Sequence, residues 1–362
     1  MSSNDPLGAI VVGTSFGLLT HAEAMRKVGI EVRALVGRNP EQTAERAERA
    51  GIPVATTSLT EVLALPDVDL VAITTPPHAR AALTLEAIEA GKHIVCEKPF
   101  ARDREEAERM LDAARSAGIV HVIGHEHRFD TEQATAVKAI RDGAIGEPLM
   151  MTHMMELPLF ADPNTTVPDW WGDAGEGGGW LGANGVHMID LARQMMGDFA
   201  GVSASLCTLS NHGWTADDTF SLQFRTKKGG SGTIQSSISV DGPPLFATRV
   251  FGSEGMLWME GPKVMVSNAS GKAEVEPDGA LAHDAGPRRS ADVIKTTYDQ
   301  LCGMADTVGP YTCLYEHVRD RIRGVEPANP AIPATFEDSV AGQKILDAVR
   351  RSNAEGAWVE ID

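Results

Sequence analysis

The sequence predicts an α/β chain in two parts. Residues 1–127 form a doubly wound parallel sheet, and residues 128–362 form a C-terminal α/β domain with an open, mostly antiparallel sheet. Three observations predict it. Short apolar runs alternate with amphipathic stretches through the first third, the mark of strand–helix–strand units with right-handed crossovers. From residue 217 the period changes to strict alternation, as in "DDTFSLQFRT", which suits antiparallel strands with one covered face. A chain of 362 residues is also long for one compact core.

The elements follow in order. "LGAIVVG" (7–13) is β-branched and closes on glycine, so it reads as a buried strand, and "THAEAMRKVG" (20–29) as the helix after it. "EVRALVG" (31–37) is the second strand. "NPEQTAERAERAG" (39–51) is a helix with Asn39 as cap, Pro40 in the first turn and Gly51 as stop. "SLTEVLAL" (58–65) opens with a capping-box pattern, Ser58 with Glu61 three residues on. "VDLVAITT" (68–75) is a strand followed by a helix to Gly91. "HIVCEKP" (93–99) is a strand, "DREEAERMLDAARSAG" (103–118) a helix with an apolar stripe, and "IVHVIG" (119–124) the last strand of the series. After a helix near 130–142, "DDTFSLQFRT", "GSGTIQSSISV" and "ATRVFGSEGMLWME" supply the antiparallel strands. "TFEDSVAGQKILDAVRRSNAEG" (335–356) is a C-terminal amphipathic helix. Residues 157–185 are rich in Pro, Gly and Trp and fit neither element; such long irregular segments are usually functional or disordered.

Composition narrows the function. The chain is 43% hydrophobic and 23% charged, ordinary for a globular protein. No apolar run approaches the roughly 18 residues of a membrane span, and "MSSNDPLGAIVV" has no signal-peptide pattern. Four scattered cysteines lack CxxC spacing. A net charge of −18 opposes binding to nucleic acid, which needs clustered Lys and Arg. The expectation is a cytoplasmic protein acting on a small molecule, with neither nucleic acid nor membrane as partner.

"VVGTSFGLLTH" joins the first strand to the first helix, where a dinucleotide pyrophosphate meets backbone N–H groups and the positive end of a helix. Gly13, Ser15, Phe16 and Gly17 are the candidate contacts. Ser15 stands at the second glycine of G-x-G-x-x-G, and Gly17 arrives one residue early. The second strand ends "VGRN". Gly37 replaces the Asp or Glu that would bind a ribose 2′-hydroxyl, and Arg38 follows with a guanidinium that suits a 2′-phosphate. The expected cofactor is therefore NADP, with NAD as the alternative; a solvated surface arginine is the other reading of Arg38.

Together "VVGTSFGLLTH", "DLVAITTPPHARAALTLEAIEAGKHIVCEKPFA", "GEPL", "GGGWLGANGVHMID" and "FGSEGML" resemble the glucose–fructose oxidoreductase / inositol dehydrogenase (Gfo/Idh/MocA) family over nearly the whole chain. The resemblance implies a Rossmann domain followed by an open-sheet domain, and a homodimer or homotetramer formed through that sheet. It also implies NAD(P)-dependent dehydrogenation or reduction of a sugar, cyclitol or related compound. Lys98 in "CEKPF" matches the family lysine that bonds the reacting oxygen beside the nicotinamide, with Glu97 next to it in the cofactor site. Thr75, Pro76 and His78 match the turn over the cofactor. His187 matches the acid/base, a role that hydride transfer requires and that histidine's ordinary pKa suits.

One departure concerns mechanism. The family often has Asp four residues before this histidine; here Ala183 stands there. Asn184 is expected to cap the helix carrying His187 and to lie near the substrate. Asp190 could meet His187 on one helix face but matches a structural family residue. Trp170 and Trp171 in "PDWWGD" stand where relatives often have Trp-Arg, and an indole suits a sugar face. Arg128 and His153 complete the expected substrate contacts. "HVIGHEHRFD" would place His121, His125 and His127 on one face of a strand, yet the family uses no metal there, and none is expected. Two other readings stay open. One is a bound-nicotinamide enzyme with net non-redox chemistry such as glycoside cleavage; the other is a non-enzymatic NADP-binding sensor.

Overall fold

Five apolar residues, Gly8–Val12, lie fully buried as β1 in the computed structural model, which describes residues 6–165, 167, 169–282 and 307–362. The chain divides into two compact units. The first gathers the described residues of Met1–Phe129 and His283–Ser339, and the second Asp130–Ala282 with Val340–Asp362.

In the first unit β1 is joined by β2 (Glu31–Val36), β3 (Val54–Thr56), β4 (Leu70–Ile73), β5 (His93–Cys96) and β6 (His121–Ile123). Among the described residues they form a six-stranded parallel sheet in the order β3-β2-β1-β4-β5-β6. The direction of winding reverses between β1 and β4, the switch point at which such sheets bind ligands beyond their carboxyl ends. Register is fixed at that edge: Val12 pairs with Val36 and Ile73, Ile73 with Cys96, and Cys96 with Ile123. The ladder runs one step further, with Gly13, Thr74, Glu97 and Gly124 donating to the neighbouring strands' last carbonyls at 2.8–2.9 Å. Residues that follow different strands thus stand in one row.

The helices between strands begin where the caps predict. After α1 (Glu23–Lys27), α2 (Pro40–Arg49) has Asn39 accepting from Gln42 N at 2.9 Å. At α3 (Leu59–Leu63) Ser58 accepts from Glu61 N at 3.4 Å. α4 (Pro77–Glu89) and α5 (Arg104–Ala117) complete the series, α5 capped by Asp103 and stopped by Gly118 at φ +64°. The core of this unit gathers Val11, Met25, Leu35, Ala72, Val95 and Val122 with Tyr311, Leu314, Tyr315 and Val318 from a helix far along the chain.

The second unit holds α6 (Thr131–Arg141), β7 (Pro148–Glu156), α7 (Val186–Met196) and β8 (Phe199–Cys207). β9 (Thr219–Thr226), β10 (Ser231–Ser237), β11 (Leu245–Gly252), β12 (Gly255–Glu260), β13 (Lys263–Asn268) and β14 (Gly271–Glu274) follow. The chain then supplies α8 (Val308–Ile322) to the first unit, continues through α9 (Phe336–Glu355) and ends in β15 (Val359–Glu360). Among the described residues the second sheet has nine strands, ordered β14-β13-β12-β11-β7-β10-β9-β8-β15, antiparallel except for the β7–β10 pair. β9 alternates as predicted: Phe220, Leu222 and Phe224 are buried, and Phe224 stacks on Phe199 at 4.1 Å. The sequence reading assigned no element to β8 or α8.

Candidate active site

The glycine loop of the first unit is shaped by Thr74. Gly13 has φ +124°, and a Cβ there would sit 2.1 Å from the Thr74 hydroxyl; one on Gly17 would sit 2.4 Å from the same atom and 2.8 Å from Val11. Both glycines are therefore required, the first for its backbone and the second for close helix–strand packing. Helical backbone starts as a wide turn, Gly17–Ala22, three residues before the helix predicted from sequence, and passes into α1. Wide turns of this kind recur at functional sites. Ser15, at the position of the missing second glycine, receives Arg46 of α2. That buried guanidinium donates to the Thr14 carbonyl at 2.6 Å and to Ser15 Oγ at 3.2 Å. Gly37 is also space-limited, since a Cβ would lie 2.2 Å from Thr43 Oγ1. Arg38, next to it, is exposed.

Thr75 and Pro76 follow β4 and are half-buried, and His78 is exposed at the start of α4. The Thr75 hydroxyl is buried and meets no hydrogen-bond partner among the described residues. A buried donor in the turn beside the glycine loop fits a polar ligand group, as do the first-turn N–H groups that follow Gly13. Arg80, one turn into α4 and 3% exposed, donates to the carbonyls of both Thr75 and Pro99. One guanidinium thus ties the turn after β4 to the turn after β5, where Lys98 is half-buried. Glu97 is 4% exposed, its carboxylate turned inward to His21 and Tyr311.

The other expected residues of this unit sit differently. Arg128 is buried in a short turn, Glu126–Phe129, where it donates to the Ile332 carbonyl at 3.1 Å and pairs with Asp338 at 3.2 Å. Those bonds anchor the first turn of α9 and the segment before it. The three histidines do not share a strand face, because β6 ends at Ile123. His121 stacks on Phe336 at 4.9 Å, His125 is buried beyond the strand, and His127 lies in the turn.

In the second unit His187 is the second residue of α7 and 5% exposed. Its helix does not begin at Asn184. A wide turn, Leu181–Gly185, precedes α7, and the cap is Asp217, whose carboxylate accepts from Leu181 N at 2.7 Å. Burial pushes the Asp217 carboxyl up, against the opposing pull of that N–H bond. Asn184 therefore lies inside the helical run, with its amide toward Met155 Sδ at 3.8 Å. Asp217 lies 36 residues from the turn it caps, which is why reading the neighbours of His187 chose Asn184. Ala183 is 9% exposed on the same turn, and Asp190 accepts from Gln194 at 3.1 Å.

The irregular segment before this helix is an aromatic cluster. Trp171 meets Phe160 at 5.6 Å and Trp180 at 6.4 Å, Phe160 meets Trp214 at 5.7 Å, and Trp214 stacks on His212 at 4.9 Å. Trp180 is pinned by an indole bond to Ser236 Oγ at 2.8 Å and leads directly into the turn before His187. Gly172 gives room for Trp214, whose ring a Cβ would approach to 2.3 Å. Trp170 is half-buried and edge-on to Trp171 at 6.0 Å. His153, on β7, pairs across to Thr248 of β11 at 2.8 Å.

Comparison with known proteins agrees with both sheets. The family described as "Oxidoreductase family, NAD-binding Rossmann fold" matches residues 7–125, and "GFO/IDH/MocA C-terminal domain" matches 134–258. A levoglucosan dehydrogenase of Pseudarthrobacter phenanthrenivorans is 29% identical over 92% of this chain and 90% of its own. A 1,5-anhydro-D-fructose reductase of Ensifer adhaerens is 35% identical over 48% of this chain and 52% of its own. Among solved structures, a levoglucosan dehydrogenase in complex with NADH and levoglucosan aligns with TM-score 0.82 at 26% identity, covering 99% of this chain and 100% of that one.

Proposed function

The chain is an NAD-binding oxidoreductase of the GFO/IDH/MocA family, and from that premise we propose that it moves hydride between NADP(H) and a ring hydroxyl or ketone of a small sugar, a pyranose or anhydropyranose. The observation that carries this reading is the row at the carboxyl edge of the parallel sheet. There Gly13, Thr74 and Glu97 stand in register, with Ser15, Thr75 and Lys98 one or two residues beyond. The levoglucosan and anhydrofructose relatives support the sugar class.

When bound, the nicotinamide supplies the acceptor or donor of hydride. The chain's own residues do the rest. The loop Gly13–Gly17 receives the pyrophosphate, with Arg46 holding Ser15 in place. The Lys98 ammonium donates to the reacting oxygen and offsets its charge as the alkoxide develops. His187 takes the proton from the hydroxyl oxygen as hydride leaves the carbon that bears it, and returns it in the reverse direction. Exposed Leu149, Met150 and Phe246, on neighbouring strands β7 and β11, support assembly as a homodimer or homotetramer through the open sheet.

The test is turnover with levoglucosan, free pyranoses and cyclitols, using NADP and NAD separately. Formation of NADPH or NADH with one of these sugars is expected. A copurifying nicotinamide that turns over with no net redox change would replace the reading.

Two variants probe the ligands. Arg38→Ser removes only the cation next to Gly37. It should weaken NADPH binding by about tenfold or more, the loss of a charge-assisted bond of roughly 1.5–3 kcal/mol. NADH binding should change less than about twofold, as read by nicotinamide fluorescence. Equal effects on both cofactors would remove Arg38 from 2′-phosphate recognition. Trp170→Ala takes away a half-buried indole at the edge of the cluster while leaving Trp171 on Phe160 and Trp180. KM for the sugar should rise about tenfold with kcat within about threefold, as expected of one stacking contact. An unchanged KM would show that the Trp170 indole takes no part in sugar binding.

A further inference from the structure

Behind Lys98 lies a buried polar network that the scheme above does not use. Glu97 Oε1 receives the Tyr311 hydroxyl and lies 3.1 Å from His21 Nε2, while Oε2 accepts the Lys98 backbone N–H at 3.2 Å. His21 Nδ1 is 2.7 Å from the Tyr315 hydroxyl. Tyr311 also reaches the Gly124 carbonyl at 3.3 Å and Glu126 Oε2 at 3.4 Å. His21, Tyr311 and Tyr315 have no exposed surface, and Glu97 and Glu126 are 4% and 5% exposed. The Phe16 ring closes the cluster edge-on, 5.4 Å from His21 and 5.7 Å from Tyr311.

Such a cluster is a costly way to join elements. Carboxylates taken out of water lose their hydration, and apolar side chains of similar volume often hold a core equally well. What the polar version adds is a fixed charge at a defined place. It links the helix that follows the glycine loop (His21), the end of β5 (Glu97), the turn after β6 (Gly124, Glu126) and α8 (Tyr311, Tyr315). Its centre is the residue immediately before the lysine.

We propose that Glu97, pinned by His21 and Tyr311, is a positioning residue for Lys98, a fixed negative charge that sets the lysine's backbone and keeps its ammonium protonated. This rests on the reading of Lys98 as the group that bonds the reacting oxygen. Burial raises the Glu97 carboxyl, but the His21 bond and attraction, the Lys98 charge and the Tyr311 bond outweigh it and hold it below the usual carboxylate range. Burial and the neighbouring carboxylates push the Tyr311 hydroxyl well above its ordinary value, so it remains a donor. Burial likewise pushes the Tyr315 hydroxyl well up. Glu126 faces Glu97 across Tyr311. At the end of the strand that leads to the lysine the Cys96 thiol is raised to about 12, chiefly by burial, and Arg80 holds the Pro99 carbonyl that follows the lysine. Loss of the Glu97 charge removes a buried anion that attracts the Lys98 ammonium, which favours the neutral amine.

The measurement is the pH dependence of Lys98 acetylation by acetic anhydride, followed by mass spectrometry on the full-length chain. It needs no knowledge of the substrate. Glu97→Gln should move the midpoint down by about one pH unit, and Tyr311→Phe should move it the same way by less. Tyr311→Phe deletes one oxygen atom, so it decides the matter even if Glu97→Gln does not fold; NADPH binding by the variant reports its folding. A midpoint unmoved in a variant that still binds NADPH overturns the proposal. Lys98→Met distinguishes the two readings: full turnover in that variant would withdraw the lysine's catalytic role without touching the labelling result.

Discussion

Replacing Lys98 with methionine is expected to lower kcat by about two to three orders of magnitude, with NADPH affinity within about threefold of wild type. The first figure is what removal of one preorganised donor to a developing oxyanion usually does, roughly 2.7–4 kcal/mol. Methionine keeps the length and apolar stem of the side chain and removes only the ammonium. The second figure follows from where the residue stands. Lys98 lies two residues past the last residue of β5, whereas the N–H groups proposed to receive the phosphates lie past β1. Preorganisation is visible around the lysine: Glu97 fixes its N–H, and Arg80 fixes the carbonyl of the next residue. Lys98→Arg should rescue little, because a planar fork cannot replace a point charge held at that spot. Steady-state kinetics on the sugar found in the panel, with cofactor binding measured separately, checks both figures. A tenfold or smaller loss in kcat would remove the ammonium from the reaction.

The parallel sheet was legible because buried strands write themselves as continuous apolar runs, and Asn39 and Ser58 cap helices by contacts within three residues. α8 was missed though its signal was present. Tyr311, Leu314, Tyr315 and Val318 repeat at helical spacing, and Pro310 sits in the first turn, where its missing N–H does no harm. The polar contacts that shape the site had no local signal at all. Arg46 reaches Thr14 across 32 residues, Asp217 caps a turn 36 residues away, and Tyr311 meets Glu97 across 214. Each places an ordinary side chain by tertiary packing, and nothing in its sequence neighbourhood marks it. The glycines were the exception, since Gly13 and Gly17 carry in their identity the closeness of Thr74.

His187→Gln is expected to lower kcat by about 10²- to 10⁴-fold, the range supplied by a positioned general acid/base, with cofactor affinity kept. Glutamine retains size and a hydrogen-bonding head, so the 5%-exposed position stays filled and α7 keeps its packing. The helix is held independently of the histidine, through the Asp217 carboxylate on Leu181 N and the Trp180 indole on Ser236. The partner question then turns on Ala183, where relatives often carry a carboxylate. Ala183→Asp would place one a helical turn before the base. A neighbouring anion favours imidazolium over imidazole, so the histidine would lose its base form at higher pH than before. In the direction of alcohol oxidation, the acid limb of kcat/KM should move up by about one unit, with less activity below it and an unchanged plateau above. The double variant Ala183→Asp/His187→Gln should show no shifted limb, because the group that titrates is gone. If the limb moved in the double variant as well, the base would be some other residue, and His187 would be left with packing alone.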